Sequence, residues 1–399
     1  MARRVFLHVG SPKTGTTFLQ AVLWSQRELA RQQGLLLPLE AFFDHYLATL
    51  EVRDIDPQPQ DVERASGVWR RIVRESLSWD GDVLISHELF APATAAQAER
   101  AIAAFGPSVE VHVVLTARDL VRQIPAEWQE HVKHRSKKRF DDFVAVLRRE
   151  DPATWFWQVQ DFPDVLRRWG STLPPERVHV VTVPPAGQPT SLLWERFAGL
   201  LGLDPATFST TGQRANTSLG YEQAELLRRV NVELGDRLPL PGPYAPDVKS
   251  MFAERVLVRQ PGTRLALSGD GLDYAVRRSE ELAEGIRKRG VDVVGDLAEL
   301  VPDVGPATEQ PPLTPPSDEV VLGESLTAIT GLLEEYSELR RRVHHERIEL
   351  DRLRQLEQEM RERPAKHLLR GLSERWSWAG KARAGARRTR DRLRSARGR

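Results

Sequence analysis

Residues 8–17 read His-Val-Gly-Ser-Pro-Lys-Thr-Gly-Thr-Thr, after an apolar run at residues 5–9 and before an amphipathic segment that begins at Phe18. This order predicts a strand, a tight loop and a helix. A loop in that position directs backbone N–H groups and the positive end of the helix dipole at one point, where Lys13 and three threonine hydroxyls add further donors. Such a set of groups suits a phosphate or a sulfate.

The loop departs from the Walker A pattern, in which a glycine, four residues and a second glycine are followed by lysine. Gly10 and Gly15 have that spacing, but Thr16 stands where the lysine belongs, and Lys13 comes earlier. Pro-Lys-x-Gly-Thr-Thr at the end of a first strand resembles instead the 5′-phosphosulfate loop of the sulfotransferases, whose donor is 3′-phosphoadenosine 5′-phosphosulfate (PAPS). The resemblance implies that the donor's 5′-phosphate binds Lys13, Thr14, Gly15, Thr16 and Thr17. It also implies a catalytic role for the lysine.

The first 300 residues alternate between strand-like and helix-like segments. This alternation predicts an α/β fold with a mainly parallel central sheet flanked by helices, of the P-loop NTPase-like kind. We expect a catalytic body over residues 1–301. The predicted strands are 5–9, 82–86, 109–117 and 177–183, with a short strand and turn in 291–300, and the predicted helices are 16–33, 93–105, 191–201 and 224–232.

Arg118 marks a second site of interest, at the end of the clearest predicted strand. Arginine offers a planar fork of donors to a phosphate, and open α/β sheets bind ligands beyond the carboxyl ends of central strands. In the sulfotransferases an arginine at this place binds the donor's 3′-phosphate, and a serine eight positions later assists it. Here that later position is Ala126, and the candidate replacements are Arg122 and Gln123. The alternative role for Arg118 is a salt bridge to Asp119 or another acid.

His87 and Glu88 follow the predicted strand 82–86 and are candidates for the general base. Successive strand residues point to opposite faces, so we expect one of them to reach the substrate. Histidine accepts a proton near neutral pH, and glutamate does so when partly desolvated. The resemblance favours Glu88, because many bacterial sulfotransferases end this strand with Ser-x-Glu. The alternative is that both residues cap the following helix.

Residues 193–203 resemble the helix that precedes the last donor-binding loop of the sulfotransferases. That loop would be 214–219, with Arg214, Asn216 and Ser218 as candidate donor contacts, and the alternative is an ordinary polar turn. A group of four residues that come after Arg118 in the chain either lines the acceptor side of the site or forms a solvated helix face. They are Trp128, His131, Lys133 and His134.

The C-terminal quarter has a different composition. Six prolines predict an extended linker over 302–317. Beyond it, apolar residues at heptad spacing predict a coiled coil over 318–363 and hence self-association, the alternative being a single helix packed on the body. The heptad residues are Ile329, Tyr336, Val343 and Leu350, interleaved with Leu332, Leu339, Leu353 and Met360, and interrupted by Glu346 and Glu357.

The charge of the chain is uneven, although its sum is only +1. From Arg361 to Arg399 there are fourteen Lys or Arg and three acids, a net +11, which leaves −10 on the rest. The tail 364–399 is open to three interpretations: disorder, contact with an anionic membrane surface, and binding to an acidic polymer.

The composition also excludes several kinds of site and segment. The 399 residues contain no cysteine, which excludes disulfides, thiolate metal sites and cysteine nucleophiles. No run of about 18 apolar residues predicts a membrane span, and the immediate entry into a strand leaves no room for a signal peptide. We therefore expect a cytoplasmic protein, with peripheral membrane contact through its tail as one option. No residues have metal-ligand spacing or form a nucleic-acid-reading module, so we expect neither a metal nor a specific nucleic-acid partner.

The sequence thus predicts a PAPS-dependent sulfotransferase of bacterial type. It would transfer a sulfuryl group to a hydroxyl or amine of an acceptor that the sequence leaves open: a glycan, a glycolipid or a small metabolite. A nucleotide-dependent phosphotransferase of the P-loop class is one alternative, although it would need a Walker lysine and magnesium-binding acids. An inactive sulfotransferase-like coiled-coil scaffold is the other, because Ala126 lacks the hydroxyl of the family's serine.

Overall fold

A computed structural model describes residues 2–212, 218–302 and 314–362. At its centre is a six-stranded sheet in which every pair of neighbours is parallel. The strands are β1 (Arg4–Gly10), β2 (Leu35–Leu36), β3 (Asp82–Ser86), β4 (Glu110–Ala117), β5 (Val178–Thr182) and β6 (Asp292–Val294). Their order across the sheet is β2-β3-β1-β4-β5-β6. The α/β fold with a parallel sheet is therefore confirmed.

Helices cover both faces of this sheet. The α-helices of the described residues are α1 (Thr16–Ser25), α2 (Arg27–Gln32), α3 (Phe42–Val52), α4 (Val62–Ala65), α5 (Val68–Ser78), α6 (Ala95–Ala103), α7 (Leu120–Lys133), α8 (Phe140–Leu147), α9 (Trp155–Gln160), α10 (Phe162–Gly170), α11 (Ser191–Leu200), α12 (Tyr221–Leu234), α13 (Gly269–Arg289) and α14 (Asp318–Glu362). A π-helix spans Ala245–Val256, and a 3₁₀ turn spans Glu88–Phe90.

The strands are continuous apolar runs because both of their faces are covered. Along β1, Val5, Phe6, Leu7 and Val9 are all at most 1% exposed. One layer of the core lies between the sheet and two helices, α1 and α11, which contribute Leu19, Leu23, Trp194 and Phe197. This packing holds the N-terminal end of α1 directly beyond the carboxyl end of β1.

The predicted helix over 16–33 is in fact two helices, α1 and α2, that meet at Gln26. The backbone of Gln26 leaves the helical conformation, with φ −129° and ψ 32°. Its side-chain amide donates to the carbonyl of Ser209 at 2.9 Å and accepts from the N–H of Ser209 at 2.8 Å. The break is thus tied to a loop 183 residues away, a contact that local periodicity does not reveal.

The C-terminal helix α14 begins within the body. The compact unit that contains the sheet extends to Ala328, beyond the predicted end of the body at residue 301. Val321 and Ala328 are buried, and Gln223 on α12 donates to Glu324 at 2.7 Å. Most of the predicted linker 302–317 lies outside the described residues.

The second unit begins at Ile329 and contains the rest of α14. Ile329, Tyr336, Val343 and Leu350 are 45–59% exposed, so the heptad positions form an apolar face on this helix. The coiled coil itself stays a prediction. The basic tail 364–399 lies outside the residues that the structure describes. No helix in the described ranges is both long enough and apolar enough to cross a bilayer.

Two buried histidines lie beside β3. His8 Nδ1 is 2.8 Å from Ser86 Oγ, and His45 Nε2 donates to the carbonyl of Pro38 at 3.0 Å. His45 Nδ1 accepts from the N–H of Ser86 at 3.2 Å, which defines the neutral tautomer. Burial lowers the pKa of His8 to about 3 and the pKa of His45 to about 4.

We expect acid to destabilise the fold through these two side chains. Each is neutral in the folded protein but takes a proton in the unfolded chain below its ordinary pKa of 6.5. Their contribution is therefore complete above pH 6.5 and is lost as the pH falls towards the folded values. Lowering the pH from 7 to 5 should cost about 2 kcal/mol for each histidine. Urea unfolding at pH 7, 6 and 5 measures this loss.

The control is His45→Gln, in which the amide can still donate to Pro38. This variant should show about 2 kcal/mol less destabilisation between pH 7 and 5 than the wild-type protein. An equal pH dependence in the two proteins would remove His45 from the explanation.

Candidate functional site

A cavity of about 870 Å³ opens beyond the carboxyl ends of β1, β3 and β4. β1 lies between the other two strands, at the place where the direction of the connections across the sheet reverses. Open α/β sheets bind their ligands at this kind of position. Of the predicted site residues, the cavity wall includes Lys13, Gly15, Thr16, Thr17, Glu88, Arg118 and Ser218.

The loop between β1 and α1 takes a shape that few residues permit. Lys13 has φ 62° and Gly15 has φ 87°, both in the left-handed region. Glycine is favoured at position 15 because other residues rarely adopt this backbone conformation, and a Cβ atom there would also lie 2.5 Å from Leu193 Cδ2, which would have to move. Gly15 is also the N-cap of α1. The N–H groups of the first turn and the positive dipole end of α1 therefore lie at the cavity wall.

Buried hydroxyls support the loop from below. Ser11 Oγ donates to the carbonyl of Val159 at 2.6 Å, and Thr116 Oγ1 donates to the carbonyl of Gly10 at 3.0 Å. Thr14 Oγ1 donates to the carbonyl of Ser11 at 2.5 Å, and its residue is fully buried. The Thr14 hydroxyl thus stabilises the loop, which leaves the backbone of Thr14 and the residues after it to meet a ligand.

Lys13 belongs to a cluster of charges centred on one carboxylate. Glu130 lies 3.1 Å from Lys13 Nζ, 2.9 Å from Lys249 Nζ and 4.0 Å from Lys133 Nζ. Burial opposes ionisation of Glu130, but the three lysines together hold its pKa well below the usual range. Burial also lowers the pKa of Lys133. Around Glu130, three ammonium groups therefore share one carboxylate.

Arg118 reaches the same cavity from the end of β4. Its Nε donates to Gln123 Oε1 at 2.9 Å, and its Nη2 donates to the carbonyl of Arg122 at 3.0 Å. Burial lowers the pKa of Arg118 to about 10, so the guanidinium keeps its charge at neutral pH. The carboxylate of Asp119 pairs with Arg122 and caps α7.

Arg122 is held away from the cavity. Besides the pair with Asp119, its guanidinium donates to the carbonyls of Pro184 at 2.8 Å and Val183 at 3.3 Å. These contacts attach the start of α7 to the chain after β5. The structure thus brings Arg118 to the site and Arg122 to a neighbouring loop.

Glu88 and His87 are close to each other, with His87 Nδ1 4.0 Å from Glu88 Oε2, but of the two only Glu88 lines the cavity. Glu88 lines the cavity, and its Oε2 accepts from Gln20 Nε2 at 3.3 Å. His87 Nδ1 accepts from the N–H of Leu89 at 3.1 Å, and its ring stacks on Phe42 at a centroid distance of 5.2 Å. Burial lowers the pKa of His87. The histidine therefore caps the 3₁₀ turn, while the glutamate faces the space that a ligand would occupy.

The remaining predicted positions divide into three groups. Ala126 and Ser218 line the cavity, while Arg214 and Asn216 lie outside the described residues. Of the four candidate acceptor-side residues, three line the cavity: His131, Lys133 and His134. Trp128 is buried in the core instead and donates from Nε1 to the carbonyl of Lys138 at 3.0 Å.

Among the cavity residues that the sequence analysis missed are Glu127, Glu130, Trp155 and Lys249. The two glutamates are three positions apart on α7, so they share one face of that helix, and this spacing is a signal that could have found them. Lys249 comes from the π-helix, 119 residues from Glu130. Its arrival depends on tertiary packing. In the described ranges, no three His, Asp or Glu side chains form a group that could hold a metal ion.

Comparisons with known proteins add little. No protein-family model matches the chain. No curated protein sequence matches it either. A sulfotransferase from Alicyclobacillus acidocaldarius has a crystal structure that aligns with 60% of this chain and 96% of its own, at 16% identity and a TM-score of 0.36. This likeness is too weak to identify the protein.

Proposed function

We propose that this chain is a sulfotransferase that uses PAPS as its donor. The observation that carries the proposal is the convergence of Lys13, the N-terminal end of α1, Arg118 and Glu88 on one cavity. A sulfuryl donor with two phosphate positions requires two separate groups of anion-binding residues. A hydroxyl or amine acceptor requires a base, which a carboxylate can supply.

The residues present suit the anionic groups of this donor. Lys13 and the N–H groups from Thr14 to Thr17 would hold the 5′-phosphate, and Arg118 would hold the 3′-phosphate. Ala126 lines the cavity without a hydroxyl to offer, so Arg118 carries more of the second contact here than in the sulfotransferases that the sequence resembles. Ser218, which also lines the cavity, is a further candidate contact, as is Arg214 by its place in the sequence.

The donor supplies a sulfuryl group whose sulfur bonds the acceptor oxygen or nitrogen as its bond to the bridging oxygen of the 5′-phosphate breaks. Lys13 would stabilise the negative charge that grows on that leaving oxygen. Glu88 would take the proton that the acceptor loses. The products are the sulfated acceptor and 3′-phosphoadenosine 5′-phosphate (PAP).

The cavity wall beside Glu88 indicates which chemical kind of acceptor would fit. Phe18, Leu89 and Trp155 line the cavity together with this carboxylate. The guanidinium of Arg53 lies 5.8 Å from the Trp155 ring centroid. An apolar, partly aromatic wall next to a carboxylate suits an acceptor that presents a flat, weakly polar face beside its hydroxyl or amine.

Calorimetric titration with PAP tests the donor site. The wild-type protein should bind PAP, and Lys13→Ala should weaken the affinity by about 10- to 100-fold, because a charge-assisted contact is lost. Folding should be little changed, since Glu130 keeps its pair with Lys249. The matched control is Lys137→Ala, at an exposed lysine, which should bind as the wild type does.

The same titration with ATP and magnesium separates the alternatives. Binding of ATP with magnesium and not of PAP would overturn the sulfotransferase proposal in favour of a phosphotransferase. Binding of neither compound would favour an inactive scaffold.

A second experiment tests the general base. We expect Glu88→Gln to lower turnover about 100-fold or more while PAP affinity is kept, because the acceptor proton loses its destination. His87→Asn should retain most of the turnover, since the asparagine oxygen can still accept from Leu89 and the ring does not face the cavity. PAP release from PAPS, measured with a panel of glycans, glycolipids and small metabolites, gives both rates. A larger loss in His87→Asn than in Glu88→Gln would reverse the assignment.

We also propose that the chain self-associates through the exposed apolar face of α14. Burial of that face in a coiled coil would remove large side chains from water. Analytical ultracentrifugation should give a mass that is a multiple of 45.2 kDa for the full chain. Val343→Glu with Leu350→Glu should reduce it to one copy, and Gln355→Glu on the same helix should not. A wild-type protein that sediments as a single copy at micromolar concentration would contradict this proposal.

A further inference from the structure

Glu127 is a buried carboxyl group in the cavity wall that the mechanism above does not use. It lies on α7 and is 2% exposed. Its Oε1 accepts from Gln160 Nε2 on α9 at 2.9 Å, and Gln123 Nε2 lies 3.5 Å away. A buried carboxyl needs such partners, because an isolated one would lose much more free energy when it leaves water.

The two amides that hold Glu127 also hold the anion-binding loop. Gln123 Nε2 donates to the carbonyl of Pro12 at 2.7 Å, and Gln160 Nε2 donates to the same carbonyl at 3.0 Å. Pro12 immediately precedes Lys13. Gln123 also accepts from Arg118 Nε at 2.9 Å. One network of hydrogen bonds therefore joins Glu127, Arg118 and the backbone of the residue before Lys13.

The charged groups around Glu127 come from three elements. Lys13 on the loop after β1 and Arg118 at the end of β4 favour its ionised form, and Glu130 one turn along α7 opposes it. The neighbour on α9, Gln160, is uncharged. Burial is the strongest influence and raises the pKa of Glu127 to about 7. In the ligand-free protein, the positive charge of Lys13 and Arg118 keeps the carboxyl partly ionised at neutral pH.

We propose that Glu127 is a positioning residue that aligns Lys13 with Arg118 and takes up a proton when the phosphates of the donor bind. The inference rests on the proposed function, because it takes the donor to be the anion that these two cations bind. Donor phosphates neutralise Lys13 and Arg118, so the two cations no longer stabilise a buried carboxylate beside them. The added negative charge then makes protonation of Glu127 favourable. Protonation leaves the amide bonds to Pro12 in place, so the loop keeps its position.

The coupling has a defined sign. A ligand that binds together with a proton binds more weakly as the pH rises. Between pH 7 and 8.5 the wild-type dissociation constant for PAP should rise about tenfold, because the free protein loses the proton that the complex keeps. The side chain at position 127 of the Glu127→Gln variant has no proton to exchange. The dissociation constant of this variant for PAP should therefore rise much less over the same pH range.

The decisive experiment is calorimetric titration with PAP at pH 7.5 in two buffers, triethanolamine and Tris, whose ionisation enthalpies differ and which add no competing phosphate. The difference in observed enthalpy gives the number of protons taken up. Wild-type protein should take up about half a proton more than Glu127→Gln at this pH. The variant should bind PAP at pH 8.5 about as tightly as the wild type does at pH 6.5. Glu254→Gln removes another carboxyl from the same cavity and should keep the wild-type proton uptake.

Each outcome supports or overturns the inference. Equal proton uptake by wild type and Glu127→Gln, with PAP bound by both, overturns it and leaves the proposed function standing. Absence of PAP binding by the wild type at pH 6.5 and 7.5 overturns the proposed function and the inference together. If Glu127→Gln does not fold, the wild-type pH series decides: a dissociation constant that stays level or falls between pH 7 and 8.5 overturns the inference.

Discussion

The parallel pairing of β1 with β3 on one side and β4 on the other is the constraint on which the site depends. His8 pairs with Ser86 and with Val114, so the three strands end within a few residues of one another. The register with β4 then shifts between His8 and Gly10, where the chain turns out of the sheet into the anion-binding loop. Lys13, Glu88 and Arg118 each lie one to three residues beyond a strand end. Their side chains share one cavity because their strands share one edge.

The loop itself is held by contacts from every side. Leu193 on α11 lies against Gly15, whose left-handed backbone favours glycine, and the buried Thr14 hydroxyl donates to the carbonyl of Ser11 within the turn. Gln123 and Gln160 bind the carbonyl of Pro12 from the side of α7 and α9. A loop with this many fixed contacts is preorganised, so an arriving anion does not have to order it, and binding free energy is not spent on that step.

The cavity wall holds five ammonium and guanidinium groups against four carboxylates in a partly buried environment. Glu130 lies within 4.0 Å of three lysines, and Lys13 and Arg118 both favour the ionised form of Glu127. Removing cations from water costs free energy unless anions compensate them. The same imbalance gives an anionic ligand a favourable place to bind. Binding a doubly phosphorylated donor would complete the charge balance that the protein alone leaves partial.

The sequence by itself determined the fold class and much of one side of the site. The apolar run at β1, the loop Gly10–Gly15 and the strand end at Arg118 are local patterns, and each depends on residues close together in the chain. Only the tertiary structure decided which member of the pair His87 and Glu88 faces the cavity. It also brought in Lys249 and linked Glu127 to Pro12 through two amides, contacts that span more than 100 residues. Local patterns set which elements form, but the orientation of a side chain after a strand end and the meeting of distant helices follow from the packing of the whole core, which no short stretch of sequence encodes.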